Sequence, residues 1–599
     1  MKAFLGYRSA LLAVFILTGP VFSNQAKACE LSTVSEKSGW KLTGRYSEVQ
    51  DLVSCFEKRY PGRAKMIRLG KTPEGRPMLA LAVGAGSSEL KPGGSNPVVF
   101  FQGGIHAGEI DGKDAGFLFV REVLEGKVLK GALSKLTLLF VPVFNIDGHE
   151  RFGPHNRPNQ VGPAEMGWRT TAQNYNLNRD YMKADAPEMR AMLKLTREWD
   201  PILSVDLHVT DGADFQLEVS TMVEPSLRGP TELSAAGRAL RDALMVRLKS
   251  SGHVSSAIYP SFKEDDLPLS GIEAGVQTPK FSQGYWALRN RLGILVETHS
   301  WKDYKTRVLT THDTLVGIVA EAKLHALEWK VAALAGEKQM SALAGLDVPL
   351  TYKVTDKSHE VEFPGYAFKR VMSPVSGREE TIYDPAHKET WKIPLYDELV
   401  PKFTVKAPMQ GYLVPAAWAK KVAAKLDVHG VKYRVLSQEI PQLEVQAYRA
   451  RELTWGKKSF EGNIPLGLKG DWKLEKREIP KGSLFVPIDQ KLARIALNLL
   501  EPEGNESLAA WGQFNTAFER KEYMEPYVAD LVGREMLQNN PEVKARFEAK
   551  LKSDPEFAKD PEKRLDFFYE LHPSYDERYM LYPVYRLEDT SITRFLRST

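Results

Sequence analysis

The chain is 599 residues long, enough for two to four domains and a large buried core. Apolar residues make up 43% and charged residues 26%, ordinary proportions for a globular protein. A net charge of +5 is slight over this length, so neither a nucleic-acid partner nor a basic membrane patch is called for.

The N-terminus reads as an export signal. Lys2 and Arg8 precede an apolar stretch, Ala10 to Leu17, and Ala26-Lys-Ala28 offers small residues for cleavage, so residues 1–28 are expected to be removed. Twin arginines are absent, and a general route to the periplasm or medium is the simpler expectation. Cleavage after Ala28 leaves Cys29 first, but Lys27 and the lack of a preceding Leu fit a lipid-anchor signal poorly. No later segment approaches the ~18 apolar residues of a membrane span. Cys29 and Cys55 are the only two cysteines. In an oxidising compartment they pair and staple the N-terminal segment to the first helix; otherwise Cys55 is a buried thiol. Neither belongs to a short metal motif.

Residues 29–340 are expected to form an α/β unit, a mixed β-sheet flanked by helices. Strand-like apolar runs over 79–83, 98–101, 136–143, 202–207 and 294–296 alternate with helical patterns. The run ending at Phe101 delivers the chain to Gln102-Gly-Gly-Ile-His-Ala-Gly-Glu109, where Gly103, Gly104 and Gly108 permit sharp turns around His106 and Glu109. The next segment, 111–124, has Phe117, Val120 and Leu124 at helical spacing. His208 ends a second run and Glu297 a third. A His-x-x-Glu pair alone is a weak signal, and a lone His at a strand end is more often structural. Together the four predict one Zn²⁺ held by His106, Glu109 and His208, with Glu297 as general base. Partial burial at the end of an apolar run would raise the Glu297 pKa toward neutrality. In open α/β sheets such sites gather at the carboxyl ends of strands.

Residues 345–483 alternate polar and apolar residues, as in 350–354 and 431–435, with one helix over 416–426, and predict a smaller β-rich accessory domain. Residues 484–599 read as mainly helical, with Leu492, Ile495, Ala496 and Leu499 on one helix face. No repeat or low-complexity tract is evident, and no role for this C-terminal half follows from its sequence.

The catalytic half resembles the zinc carboxypeptidase family, the carboxypeptidase A-like metallopeptidases. The likeness rests on His106-Ala-Gly-Glu109, Asn145-Ile-Asp-Gly148, Trp168-Arg169, Asn178-Arg179, His208, Tyr285 and Glu297 in that order, with Gly70 to Arg76 like the family's first hairpin. The resemblance implies that Arg169 stabilises the oxyanion, that Asn178 and Arg179 clamp a peptide's free C-terminal carboxylate, and that Tyr285 closes over the substrate. Where the family commonly has Asp before its Asn-Arg pair this chain has Asn176, and Asp180 follows the Arg. Asp206, two residues before His208, would share its strand face and either orient it or form a salt bridge. His299 would point to the same side as Glu297.

The expected function is that of a secreted zinc metallocarboxypeptidase acting on peptides with a free C-terminus. Its first rival is a zinc amidohydrolase of the same fold that deacylates N-acyl amino acids or cell-wall peptides. A second is a non-catalytic binding protein on a peptidase fold, against which the intact carboxylate of Glu297 argues. The absence of His-Glu-x-x-His argues against a thermolysin-like endopeptidase.

Overall fold

The computed structural model of the protein describes residues 29–589 and residue 592. The export signal expected over residues 1–28 lies outside the described residues. Nine strands belong to the described residues up to 300: β1 (Ala64–Lys71), β2 (Pro77–Val83), β3 (Val98–Gly103), β4 (Thr137–Val141), β5 (Leu203–Thr210), β6 (Val219–Glu224), β7 (Ser255–Ser256), β8 (Ile272–Glu273) and β9 (Leu292–His299). Eight of them form one mixed sheet in the order β1-β2-β4-β3-β5-β9-β6-β7. The central strands β4, β3, β5 and β9 run parallel, and β2 and β6 join them antiparallel.

The sequence explains which strands take the centre. Every residue of β4, β5 and β9 is buried, as is all of β3 but its first, because helices cover both faces. Helix Asp111–Glu125, following β3, and the 37-residue helix Tyr304–Met340, following β9, contribute to that cover. Phe101 stacks on Phe140 at 4.7 Å, and Phe117 meets Phe140 edge-on at 5.3 Å, locking helix Asp111–Glu125 against the sheet. The outer strand β1 instead mixes exposed and buried residues, as its sequence does. This is the mixed sheet with flanking helices that the sequence predicts.

The following region is β-rich: β10 (Asp347–Val354), β11 (His359–Met372), β12 (Glu379–Tyr396), β13 (Leu399–Lys406), β14 (Gly411–Val414), β15 (Arg434–Val435), β16 (Ile440–Trp455), β17 (Leu466–Ile479), β18 (Leu484–Pro487) and β19 (Tyr585–Leu587). Strand β12 pairs with β11 and, in parallel, with the short β8 of the first half. A six-stranded sheet has the order β15-β18-β14-β19-β16-β17. A division at 483/484 therefore cuts this sheet, since β18 and β19 lie beyond it in sequence. The tail from Pro526 to Tyr569 is helical, with its own small core of Val543, Phe547, Phe557, Phe567 and Phe568. The main apolar core is continuous from the first sheet into the β-rich region, with two smaller clusters around Leu443 and Trp391 beside it. Cys29 and Cys55 are joined as a disulfide, tying the first described residue to helix Tyr46–Arg59. No helix among the described residues is long and apolar enough to cross a membrane.

Candidate active site

The first ligand pair is placed by glycine. Strand β3 ends at Gly103, and Gly104 has φ of +61°, a left-handed conformation that turns the chain back over the sheet edge. A Cβ on Gly108 would stand 2.6 Å from both Arg157 Cγ and the Gly167 carbonyl oxygen, so only glycine fits between His106 and Glu109. His208 and Glu297 come from adjacent parallel strands, where they are direct partners in register. One ligand atom from each of His106, Glu109 and His208 lies within 4.8 Å of the others, and all three residues are buried. Glu109 Oε1 is 3.0 Å from His106 Nδ1, and Oε2 is 2.9 Å from His208 Nδ1.

The donor set fits zinc: two imidazoles and one carboxylate converge from two segments, the loop after β3 and strand β5, as in three-ligand catalytic sites. The outward nitrogen of each imidazole faces a polar side chain. His106 Nε2 lies 3.1 Å from Asn176 Oδ1, and His208 Nε2 lies 3.0 Å from Asp206 Oδ2. Partners of this kind fix ring orientation and leave the opposite nitrogen for metal. Asn176 thus stands at a zinc-site histidine even though it is Asn where the family has Asp. Asp180 faces elsewhere, accepting bonds from the Asp185 and Ala186 amides and holding Lys183. Asp206 is itself held by Gln102 Nε2 at 3.0 Å, and that amide also reaches the Tyr181 hydroxyl at 2.9 Å. Burial acts to raise the Glu109 carboxyl, but His106 and Arg157 together hold it well below the usual range.

Glu297 is buried near the end of β9. Burial pushes its carboxyl up to about 8; His208 pulls it down, while Glu109, Asp206 and Asp211 push it further up. A cation gathered by the triad acts in the same direction as His208.

The triad and Glu297 open onto a cleft of about 650 Å³ that Arg169, Asn178 and Arg179 also line. Arg169 Nη1 is 3.4 Å from Glu109 Oε1. The motif around it has a mechanical reading. Asn145 Oδ1 accepts from the Gly148 amide at 3.0 Å, and its Nδ2 donates to the Arg169 carbonyl at 3.1 Å. Asp147 accepts from Thr72 Oγ1 at 2.7 Å and Arg76 Nη1 at 2.6 Å, fastening the Gly70–Arg76 turn to the same loop. Arg179 lies over the Phe281 ring at 4.5 Å. Burial, and next Arg169, lower its pKa, so two guanidinium groups share this end of the cleft, and among the described residues no carboxylate is bonded to Arg179.

Tyr285 is a correction. Its side chain is buried in the core, with its hydroxyl 3.0 Å from His429 Nδ1 and its ring against Tyr181 and Trp286. It does not line the cleft. The helix Ser282–Leu288 turns that face inward, and Phe281 and Gln283 are what it offers to the cleft. Tyr259 does line it, with its hydroxyl 3.0 Å from Thr210 Oγ1, and Glu297 is the foremost charge on its phenol. Tyr259 lies in the loop-rich stretch after β7, where periodicity says nothing. His299 also leaves the site: it stacks on Phe215 at 4.0 Å.

The β-rich region reaches this site in two ways. Tyr352, Lys353, Val354, Leu395 and Asp397 form part of the cleft wall. From the other side, the turn between β16 and β17 touches the loop bearing Asn178 and Arg179. Glu461 Oε2 accepts from the Asn176 amide at 2.9 Å, and Asn463 Nδ2 reaches Asp185 at 3.3 Å. Lys425 binds Asp185 at 2.6 Å, and His429 Nε2 is 2.9 Å from the Met182 carbonyl.

The model for the zinc carboxypeptidase family matches residues 49–214, a stretch that includes His106, Glu109, Asn178, Arg179 and His208. The part of the chain that carries the triad is thus similar to the zinc carboxypeptidase family. Among curated proteins it is similar to carboxypeptidase 2 of Trichophyton rubrum, 24% identical over 465 residues that cover 74% of this chain and 79% of that protein. It also resembles mouse carboxypeptidase A6, 29% identical over 114 residues, or 18% of this chain and 25% of that one. Among solved structures, a metallo-carboxypeptidase from Burkholderia cenocepacia aligns at 18% identity with a TM-score of 0.35, covering 46% of this chain and 69% of that one. The chain is a metallocarboxypeptidase with an intact His-Glu-His metal-binding triad.

Proposed function

We propose that the protein is exported and removes single residues from the C-terminus of peptides, using one zinc ion. The single observation that carries this reading is the pairing of the triad and Glu297 with two arginines in one cleft. When bound, zinc supplies Lewis acidity, lowering the pKa of water and polarising a carbonyl. Glu297 takes the proton of the attacking water and passes it to the leaving amine, a role suited to a buried carboxyl titrating near neutrality. Arg169 donates to the oxygen that becomes negative as the carbonyl turns tetrahedral. Arg179 and Asn178 hold the substrate's terminal carboxylate, which a planar guanidinium binds with two parallel hydrogen bonds. Tyr259, rather than Tyr285, closes over the scissile bond and donates from its hydroxyl. Residues 29–340 act as the catalytic unit, and the β-rich and helical regions after it complete the cleft. Export is supported by the apolar N-terminal stretch and by the Cys29–Cys55 disulfide.

The clamp makes this reading testable with matched peptides that end in a free or an amidated carboxyl group. Arg179→Ala is expected to lower kcat/KM for free-acid peptides by about 100-fold, the loss of a charge-assisted pair of 2–3 kcal/mol, and to change amidated peptides far less. Equal losses on both series would overturn the assignment of Arg179.

A further inference from the structure

Past the reaction centre the cleft runs along the groove between β6 and β9. These strands are antiparallel, with Ser220 opposite Glu297, Met222 opposite Leu295 and Glu224 opposite Gly293. Alternation puts Ser220, Met222 and Glu224 on one face of β6, the face that carries Glu297 and Leu295 on β9. Glu224 therefore lies four residues from the partner of Glu297, about 13 Å along the strand at ~3.3 Å per residue. Between the two carboxylates the cleft is walled by Met222 and Leu295, an apolar pair.

Glu224 is 5% exposed, and its Oε2 has no hydrogen-bond partner among the described residues. The Ser226 backbone amide is the one group that favours its ionised form, and burial pushes the carboxyl up to about 8. Arg241 lines the same cleft, but its guanidinium pairs with Asp242 at 2.8 Å. An unpaired carboxyl in a protein interior is costly, and polar groups in that position normally have partners. Here the missing partner faces a cleft that admits a ligand. A long side chain with apolar methylenes and a terminal cation matches the lining from Met222 and Leu295 to Glu224.

We propose that Glu224 receives a cationic side chain, so that the preferred substrates are peptides whose C-terminal residue is Lys or Arg. This rests on the exopeptidase reading above. An arriving guanidinium or ammonium group lets Glu224 ionise and forms a desolvated, charge-assisted hydrogen bond. Apolar or acidic C-terminal residues leave the carboxyl unsatisfied, and sites built around a buried polar group discriminate strongly against guests that cannot pair with it.

The test is a set of otherwise identical peptides ending in Arg, Lys, Leu, Phe, Gln or Glu, incubated with the zinc-loaded full chain. Release of Arg and Lys is expected to exceed release of Leu by about 100-fold in kcat/KM. In Glu224→Gln the Arg-to-Leu ratio is expected to fall at least tenfold. That ratio is internal to each preparation, so partial loss of folded protein does not affect it. Faster release of Leu or Phe than of Arg by the unaltered protein would overturn the proposal and leave the exopeptidase reading standing. Fastest release of Gln would overturn it too, marking Glu224 as a neutral donor. Release from no member of the set would overturn the exopeptidase reading itself. If Glu224→Gln yields no folded protein, the unaltered protein's ranking still decides.

Discussion

At the residue scale two buried carboxyls on facing strands have opposite consequences. In the proposed reaction Glu297 is the base, and burial raises its carboxyl toward the range where it can take up a proton near neutral pH. Replacing it by the isosteric Gln keeps the shape and removes the base. Glu297→Gln is expected to retain one zinc per chain by elemental analysis while kcat falls about 10³-fold, within the usual range for a general base. Appreciable residual turnover in the folded variant would contradict the role. Glu224 instead imposes a cost on the empty protein. Its folded pKa is raised from 4.5 to about 8, so the folded state holds a proton that the unfolded state has lost between those values. Its contribution to stability is intact below pH 4.5 and declines as pH rises toward 8. Glu224→Gln abolishes this term, so its Tm relative to the unaltered protein is expected to rise steadily from pH 5 to about 8. A Tm difference independent of pH would contradict the burial argument.

The residues that the sequence made legible are those with short, local signatures. His106, Glu109, His208 and Glu297 each end a recognisable apolar run or follow one; strand pairing sets His208 beside Glu297, and the glycine turn after β3 brings His106 and Glu109 to them. Tyr285 misled because a tyrosine in a short helix has no signal for which face turns inward. Arg157, Tyr259 and Glu461 were invisible for a related reason. Each reaches the site from an irregular segment whose path is set by tertiary packing and not by periodicity.

At the element scale, the loop from Thr171 to Ala186, which bears Asn178 and Arg179, has little regular structure of its own. Its shape is imposed by neighbours. Asp180 ties its far end internally, His429 and Lys425 hold it from helix Ala416–His429, and Glu461 reaches it from the β16–β17 turn. Glu461 is a positioning residue: its carboxylate accepts from Asn176, whose side chain meets both the Asn178 amide and His106. Glu461→Ala is expected to raise KM for free-acid peptides several-fold and to weaken zinc binding, since supporting contacts around metal-site histidines contribute about 10- to 100-fold to affinity. Zinc affinity measured against a competing chelator, alongside KM, checks both. An unchanged affinity and KM would show that the loop holds its shape without the turn.

At the scale of the whole molecule, the first half is not an independent body with a tail attached. Strand β12 pairs with β8, one apolar core runs across both halves, and the cleft wall includes Tyr352 and Asp397. A chain ending at residue 340 is expected to expose that core and to fail to give a soluble monomeric species on size-exclusion chromatography. A soluble, active truncation would contradict this view of the fold. The alternating patterns of the β-rich region announced strands but not their company. β18 and β19 join the six-stranded sheet from beyond the helical boundary because pairing partners distant in sequence leave no local mark. The disulfide closes a loop with a sequence separation of 26. Its loss in Cys55→Ser is expected to cost about 3 kcal/mol, seen as a lower midpoint in urea.

The central claim is that the triad, Glu297 and the two cleft arginines act as one exopeptidase centre. Mass spectrometry of a mixed peptide library incubated with the zinc-loaded protein tests it most directly. The account predicts ladders shortened one residue at a time from the C-terminus, abolished by a chelator and restored by zinc. Internal cuts, or loss of N-acyl groups from otherwise intact peptides, would contradict it.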